Sequence, residues 1–265
     1  GRMDIVITKL LPIIILILIG FYIQQINFLK PESISDMKRL VINVALPAVL
    51  FNSFANMEFG AEHLGLIAVV IVIQYIVYNI SLGLNQISFL SNPLLPFTTS
   101  GSAYFLWTVP LFVAIFGIEN SGEAVVVGIG HELYYWGFLL PAMSGKLGSN
   151  RMSFSKVAGI FKTPMMISII IGIALNLSGL YGWMSSIDIF QGILSSLIIL
   201  AGITTPLILI IVGYGIKLEK KYLSESLKLV SVRLIVFAVI AYSVKFLFID
   251  KYIETSGYFE YFFFT

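Results

Sequence analysis

The stretch GIGHELYYWGFLLP, residues 128–141, places His131 beside Glu132 inside an apolar run. These are residue types of zinc hydrolases, in which two histidines at i and i+4 bind the metal and the glutamate acts as general base. The residue four positions after His131 is Tyr135. The one other histidine in the sequence is His63, and the sequence contains no cysteine. Three zinc ligands of the usual kind are therefore hard to assemble, so we expect no metal site, no catalytic residue and no enzyme.

Two other roles suit an ionisable pair in an apolar run. A buried ionisable group is costly in lipid, which indicates function by default, and Glu132 is then the candidate for proton coupling. The alternative is an interhelical hydrogen bond that holds this helix against a neighbour. Adjacent residues of a helix point about 100° apart, so His131 and Glu132 need not touch each other.

The composition predicts a membrane protein. Of 265 residues, 58% are hydrophobic and 11% are charged, whereas about a quarter are charged in a soluble domain. Runs long enough to cross about 30 Å of hydrocarbon recur at residues 5–25, 36–56, 63–87, 97–117, 122–146, 157–179, 187–216 and 222–248. We therefore expect an all-α fold with eight spans in a lipid bilayer. The net charge of +2 is spread over loops without a basic patch, so no nucleic-acid partner is expected.

The loops between the predicted spans alternate in charge. Basic residues concentrate between spans one and two, five and six, and seven and eight: Lys30, Lys38, Arg39, Lys146, Arg151, Lys156, Lys162, Lys217, Lys220, Lys221 and Lys228. The opposite loops carry Glu58, Glu62, Glu119, Glu123 and Asp188. The positive-inside rule then predicts a multi-pass cell-membrane protein with its N-terminus outside and loop 146–162 in the cytoplasm. Arg233, a turn or two inside span eight, could snorkel to the cytoplasmic face.

Two segments share an order of residues that suggests an internal repeat. LPIIILILIGFYIQQINFL, residues 11–29, and TPMMISIIIGIALNLSGLYG, residues 163–182, each have a proline followed eight residues later by a glycine. Those glycines are Gly20 and Gly172. Any apolar helix with a proline and a glycine can be aligned with another, but the charge alternation independently places spans one and six in opposite directions.

A helix with an internal proline follows each segment, with Pro47 in the first half and Pro206 in the second. The halves are five spans apart, an odd number, so they must lie upside down relative to each other. Inverted repeats are a recurring architecture of secondary transporters, which bind substrate near the bilayer midplane on interrupted helices. We expect a first five-helix repeat over residues 1–147 and a second, incomplete repeat over residues 148–265.

The strongest candidate for an interrupted helix is TTSGSAYFLWTVPLFVAIFG, residues 98–117. A proline in mid-helix removes a hydrogen bond and clashes with the preceding turn, and lipid cannot satisfy the freed groups. Pro110 would free the carbonyl of Leu106 and expose half-helix ends that hold an ion or a carboxylate. Pro47 and Pro206 could equally bend their helices without a function.

Four segments resemble the auxin efflux carrier family, whose prokaryotic members include carriers of malonate and other organic acids. NVALPAVLF (43–51) resembles its second helix, VPLFVAIFG (109–117) the second half of its fourth, KTPMMISIIIGIALNLSGL (162–180) its sixth, and TTPLILIIVGYGIKL (204–218) its seventh. The resemblance covers nearly the whole chain in the expected order, and this order carries it more than any single motif.

The resemblance implies ten helices in two inverted repeats, with prolines where the fourth and ninth helices cross. Pro110 matches the first of these prolines, and the sequence stops at Thr265, where helix nine would begin, so the last two helices are expected to be lacking. The family usually has a segment similar to NTGFLGLP, whereas this chain has AYFLWTVP. Ala103 stands at the asparagine place, and Phe105 and Trp107 stand where small residues are usual, which would narrow a substrate cavity.

Members of the family have a polar residue, often asparagine, about where His131 stands, and the His131–Glu132 pair is expected to face the crossover as a polar wall or proton relay. The predicted substrate-binding residues are Ala103, Trp107, Thr108, Pro110, Asn43, Pro47 and His131. Glu132 is the predicted proton-coupling residue, and no cofactor is expected.

The function implied by the resemblance is a secondary carrier of small organic anions, such as malonate or other carboxylates, working by an elevator or rocking motion. One alternative is a sodium-coupled organic-anion symporter of the bile-acid carrier type, which would need acidic and hydroxyl residues at the crossover. Another is a non-transporting membrane receptor or sensor, favoured by the bulky crossover. Coupling to a proton or to sodium, and assembly as a homodimer, remain alternatives.

Overall fold

A computed structural model describes residues 2–57, 60–102, 104–146, 159, 161–216 and 220–244. Every regular element in these ranges is helical, in agreement with the predicted all-α membrane protein. Three stretches are long and apolar enough to cross a membrane: His63–Leu84, Leu95–Phe116 and Asp188–Gly215. Shorter apolar helices cover Leu10–Gln25 and Pro164–Leu177. The full set of eight spans stays a prediction.

In chain order the α-helices are α1 Arg2–Gln25, α2 Pro31–Leu40, α3 Leu46–Asn56, α4 Ala61–Leu84, α5 Leu95–Ser100, α6 Tyr104–Phe116, α7 Gly122–Tyr134, α8 Leu140–Lys146, α9 Pro164–Leu177, α10 Leu180–Ser185, α11 Asp188–Gly202, α12 Thr204–Gly215 and α13 Lys220–Val244. A first π turn, Val41–Ala45, joins α2 to α3, and a second π turn, Tyr135–Leu139, joins α7 to α8. Single 3₁₀ turns cover Ser88–Leu90 and Ile118–Asn120.

The helices form two compact units. The first unit comprises Gly1–Leu64, Ala103–Gly128 and Met152–Lys217, and the second comprises Gly65–Ser102, Ile129–Arg151 and Leu218–Thr265. Each unit therefore draws on both halves of the sequence, so its limits are not those of the predicted repeats over 1–147 and 148–265. Repeats and compact units divide a chain differently, and the repeats stay a prediction.

In the first unit, α1 packs closely on α12, and α9 packs closely on α3. A Cβ atom on Gly20 of α1 would collide with the carbonyl oxygen of Ile210 on α12. A Cβ atom on Gly172 of α9 would lie 3.0 Å from the carbonyl oxygen of Phe51 on α3. The backbones of each pair approach this closely because the two glycines have no side chain.

The two contacts obey the same sequence spacing. Each glycine follows a proline of its own helix, Pro12 or Pro164, by eight residues. The carbonyl that it meets follows the proline of the other helix, Pro206 or Pro47, by four residues. Spans one and six thus contact spans seven and two in equivalent ways, which is the relation that an inverted repeat requires.

Two prolines account for the two π turns. Pro47 and Pro141 each lie two residues after the end of a π turn. A proline has no N–H, and its ring clashes with the carbonyl four residues earlier, so the helix widens by one residue before it. The amide of the preceding leucine, Leu46 or Leu140, then donates to the carbonyl five residues back. Pro47 therefore widens its helix without interrupting it.

Pro206 also leaves its helix intact. It is the third residue of α12, within the first turn, where a proline removes no hydrogen bond that the helix would otherwise form. The helix that we predicted over span seven is interrupted at Ile203, between α11 and α12, just before this proline.

In the second unit, α5 lies against α4, α13 and the second π turn. One apolar cluster contains Val77, Leu95, Val232 and Val236, and another contains Phe97, Tyr134 and Leu139. The ring of Tyr78 on α4 lies 5.8 Å from the ring of Phe97 on α5. These contacts hold the short helix α5, six residues long, in one place.

Candidate functional site

The helix over span four is broken at Gly101 and Ser102. Helix α5 ends at Ser100, Gly101 is extended with φ −112° and ψ 148°, and α6 starts at Tyr104. The break therefore lies eight or nine residues before Pro110, which stands inside α6. The position that we predicted for the break, at Pro110, has to be corrected.

Gly101, which stands at the break, has no room for a side chain. A Cβ atom there would lie 2.8 Å from the carbonyl oxygen of Phe97 and would collide with the side chain of Leu139. The close approach of Leu139 requires glycine at this point. Because Leu139 is distant in the sequence, proline spacing alone points to the wrong residue.

Arg233 of α13 binds the end of the broken helix. Its Nη1 donates to the carbonyl oxygen of Thr98, at 3.0 Å, and to that of Gly101, at 2.6 Å. The last carbonyls of a helix lack donors within the helix and carry partial negative charge, so a cation is favourable there. The guanidinium is half-buried and lies 5.4 Å from the ring centroid of Phe237. The guanidinium that the sequence suggested could snorkel to the cytoplasmic face thus binds backbone carbonyls at the end of α5.

Polar side chains of α7 line the same end of α5. The hydroxyl of Tyr134 donates to Oγ of Ser100 at 3.0 Å. Nε2 of His131 lies 3.3 Å from Oγ of Ser102. His131 is fully buried. His131 therefore faces the broken helix, as a contributor to a substrate site would.

Glu132 forms a hydrogen bond within its own helical segment. Its Oε2 accepts a hydrogen bond of 2.8 Å from Nε1 of Trp136, one turn further along the chain. Within the described ranges no cation lies within ion-pair distance of this carboxylate, and the ion pairs found there are Arg39 with Asp36 and Lys228 with Glu225. Consecutive residues leave a helix in different directions, so the expectation that Glu132 faces the break together with His131 stays a prediction.

We group Gln74 of α4 with these polar side chains because of the contacts that its neighbours on α4 make. Along α4, Tyr78 packs beside Phe97 of α5, and Val70 packs beside Gly130 of α7. Gln74 lies between these two contacts along α4, four residues from each. It is buried, and its Oε1 has no hydrogen-bond partner in the part of the chain that the structure describes. We call Gln74, Ser102, His131, Tyr134 and Arg233 the break cluster.

The remaining predicted site residues lie in the first unit. Asn43 is exposed in the first π turn, and its Nδ2 donates to the carbonyl oxygen of Arg39 at 2.8 Å. Pro47 is buried in α3. Thr108 is half-buried on α6, where the carbonyl oxygen of the buried Pro110 accepts a hydrogen bond of 3.1 Å from Thr205. Ala103 lies outside the described residues.

The two bulky residues ahead of Pro110 have different surroundings. Phe105 is buried, and its ring packs against the backbone of Gly128, in the space that a side chain there would fill. Trp107 is 39% exposed. Phe105 thus packs within its own unit, which weakens the argument that bulk at this position favours a receptor over a carrier.

The chain is similar to known membrane transport proteins. Residues 5–117, which contain α1 to α6, match a family described as membrane transport protein. The chain is also similar to an uncharacterized transporter of Methanothermobacter thermautotrophicus, with 28% identity over 199 residues. That match covers 64% of this chain and 57% of the other protein, so the chain spans little more than half the length of this relative.

Proposed function

We propose that this chain is a secondary carrier of the auxin efflux carrier family that moves small organic anions, such as malonate, across the cell membrane. The orientation that we propose has the N-terminus outside and the basic loops inside, following the positive-inside rule. Alternating access, by an elevator or rocking motion, and assembly as a homodimer are parts of the same proposal.

The observation that carries the proposal is the cation bound at the end of the broken helix. Nη1 of Arg233 donates to two backbone carbonyls, and among the described residues no protein acceptor lies on Nε or Nη2. The free edge of a guanidinium matches a carboxylate in a two-bond geometry, which favours a carboxylate over other small solutes. An arginine in a span is costly, and a substrate anion would offset its charge.

The other members of the break cluster would complete the site. Gln74 supplies an amide, and Ser102 and His131 supply a hydroxyl and an imidazole at the same end of α5. A second carboxylate of the substrate, as in malonate, would find donors there. We retain Glu132 as the candidate for proton coupling, through its hydrogen bond with Trp136, and not as a substrate ligand.

Uptake into proteoliposomes tests the proposal. The full-length protein would be reconstituted and supplied with radiolabelled malonate and related mono- and dicarboxylates, with and without an inward proton gradient. We expect Arg233→Gln to lower uptake at least tenfold, and Glu132→Gln to remove the stimulation by the gradient. Arg39→Gln is the matched control, because Arg39 is exposed and pairs with the neighbouring Asp36.

The outcomes separate the alternatives. Uptake that is unchanged in Arg233→Gln would refute the break cluster as the anion site. Specific binding of an anion to the wild-type protein without flux under any gradient would favour a receptor or sensor. Uptake that requires sodium and ignores protons would favour the symporter of the bile-acid carrier type.

A further inference from the structure

We propose that Arg233 is a built-in substitute for a coupling cation, and that this carrier therefore works without sodium. The guanidinium would occupy the place at the end of α5 where a sodium ion would otherwise neutralise the backbone carbonyls. This inference rests on the proposed carrier function and concerns the same site. It decides between the two coupling ions that the sequence alone leaves as alternatives.

The argument starts from the carbonyl ends of interrupted helices. In secondary transporters, unwound carbonyls and the C-terminal ends of half-helices coordinate the coupling ion. Here the oxygens of Thr98 and Gly101 have that position, since α5 ends at Ser100. Both oxygens accept a hydrogen bond from one nitrogen, Nη1 of Arg233, at 3.0 and 2.6 Å. A guanidinium and a sodium ion carry the same charge, so one can replace the other at these oxygens.

The side-chain hydroxyls beside this end donate to carbonyls of α5. Oγ of Thr99 donates to the carbonyl of Leu95, at 2.7 Å. Oγ of Ser100 donates to the carbonyl of Pro96, at 2.7 Å, and accepts from the hydroxyl of Tyr134. The carbonyls of Leu95 and Pro96 thus have side-chain hydroxyl donors, whereas the carbonyls of Thr98 and Gly101 have Arg233.

Carboxylates do not complete a cation site at this place in the described ranges. Glu132, which follows His131 in the sequence, accepts a hydrogen bond from Trp136. No group of three or more acidic, histidine or cysteine side chains able to hold a metal ion occurs among the residues described. The positive charge that α5 needs is therefore supplied by the chain itself.

Removal of the guanidinium tests the substitution. In Arg233→Ala the carbonyls of Thr98 and Gly101 lose their donor, and a small cation can enter in its place. We expect the melting temperature of the detergent-solubilised variant to rise by about 2–4 °C with millimolar sodium or methylguanidinium chloride, compared with choline chloride at equal ionic strength. The wild-type protein and Arg39→Ala should show no such difference.

Transport supplies the second readout. Wild-type anion uptake should be equal in sodium and in choline, and Arg233→Lys, which keeps the charge, should also be independent of sodium. A requirement of the wild-type protein for sodium would overturn the inference, as would an Arg233→Ala variant that responds identically to sodium, methylguanidinium and choline. If Arg233→Ala does not fold, the wild-type and Arg233→Lys uptake measurements still decide.

The failure of this inference is distinguishable from failure of the proposed function. The melting measurement uses cations alone and needs no transported substrate. Absence of anion uptake by the wild-type protein, together with rescue of Arg233→Ala by sodium, would refute the carrier proposal and support the cation substitution. Anion uptake that depends on sodium would support the carrier proposal and refute the cation substitution.

Discussion

Replacing Asn176 by alanine should destabilise the first unit, because the side chain of this residue serves the end of another helix. Its Nδ2 lies 3.0 Å from the carbonyl oxygen of Phe54, 3.1 Å from that of Ala55 and 2.5 Å from that of Met57. Helix α3 ends at Asn56, so these carbonyls have no donor within their own helix. An amide has two N–H groups and can bond two of the three carbonyls at a time.

The magnitude follows from these two bonds. Side-chain hydrogen bonds in membrane proteins contribute about 0.6 kcal/mol on average and about 1.7 kcal/mol at most, so Asn176→Ala should cost roughly 1–3 kcal/mol. The carbonyls belong to the buried residues Phe54 and Ala55, where water is a poor substitute. We place the expected value in the upper half of this range.

Unfolding of the detergent-solubilised protein by a denaturing detergent, followed by far-ultraviolet circular dichroism, measures this loss. Asn79→Ala is the matched control, since Asn79 is exposed and its Nδ2 donates to Tyr75 in its own helix, at 2.8 Å. The control should change the free energy of unfolding by less than about 0.5 kcal/mol. Equal effects of the two substitutions would refute the role of Asn176 as a cap of α3.

Further predictions concern close contacts and the π turn. Gly20→Val and Gly172→Val should each lower the free energy of unfolding by at least about 1–3 kcal/mol, since a side chain would meet the backbone of the facing helix. A variant with the thermal stability of the wild-type protein would contradict this prediction. Gly101→Ala should be destabilising for the same reason and should also lower anion uptake, which an unchanged uptake rate would contradict. Tyr134→Phe removes one buried hydrogen bond and should cost about 0.5–1.5 kcal/mol in the same unfolding assay. Pro141→Ala should let the second π turn close into an α-helix, with slower amide hydrogen exchange there, and unchanged exchange would be inconsistent with the role of this proline.

Patterns within one helix predicted much of the fold. Apolar runs indicated the helices, and the spacing of prolines and glycines matched the contacts that Gly20 and Gly172 make. These signals are visible because a helix repeats its own geometry along the chain. The charge alternation adds an orientation, which stays a proposal.

Contacts between distant segments account for the differences. Leu139 approaches the break at Gly101, and no local pattern records that approach. Arg233 was missed as a site residue because its acceptors, Thr98 and Gly101, are more than 130 positions away. One sequence signal indicates Arg233. An arginine inside a predicted span is energetically unfavourable unless it has a polar or charged partner.

The first π turn sets the rotational phase between the two segments that it joins. Before it, α2 is amphipathic, with exposed Asp36 and Arg39, whereas every residue of α3 from Leu46 to Ala55 is buried. One extra residue in a turn rotates all that follows by about 100°. Pro47 maintains this rotation, so the buried face of α3 is set independently of the exposed face of α2. A change of one residue in length can then be accommodated within residues 41–45 alone.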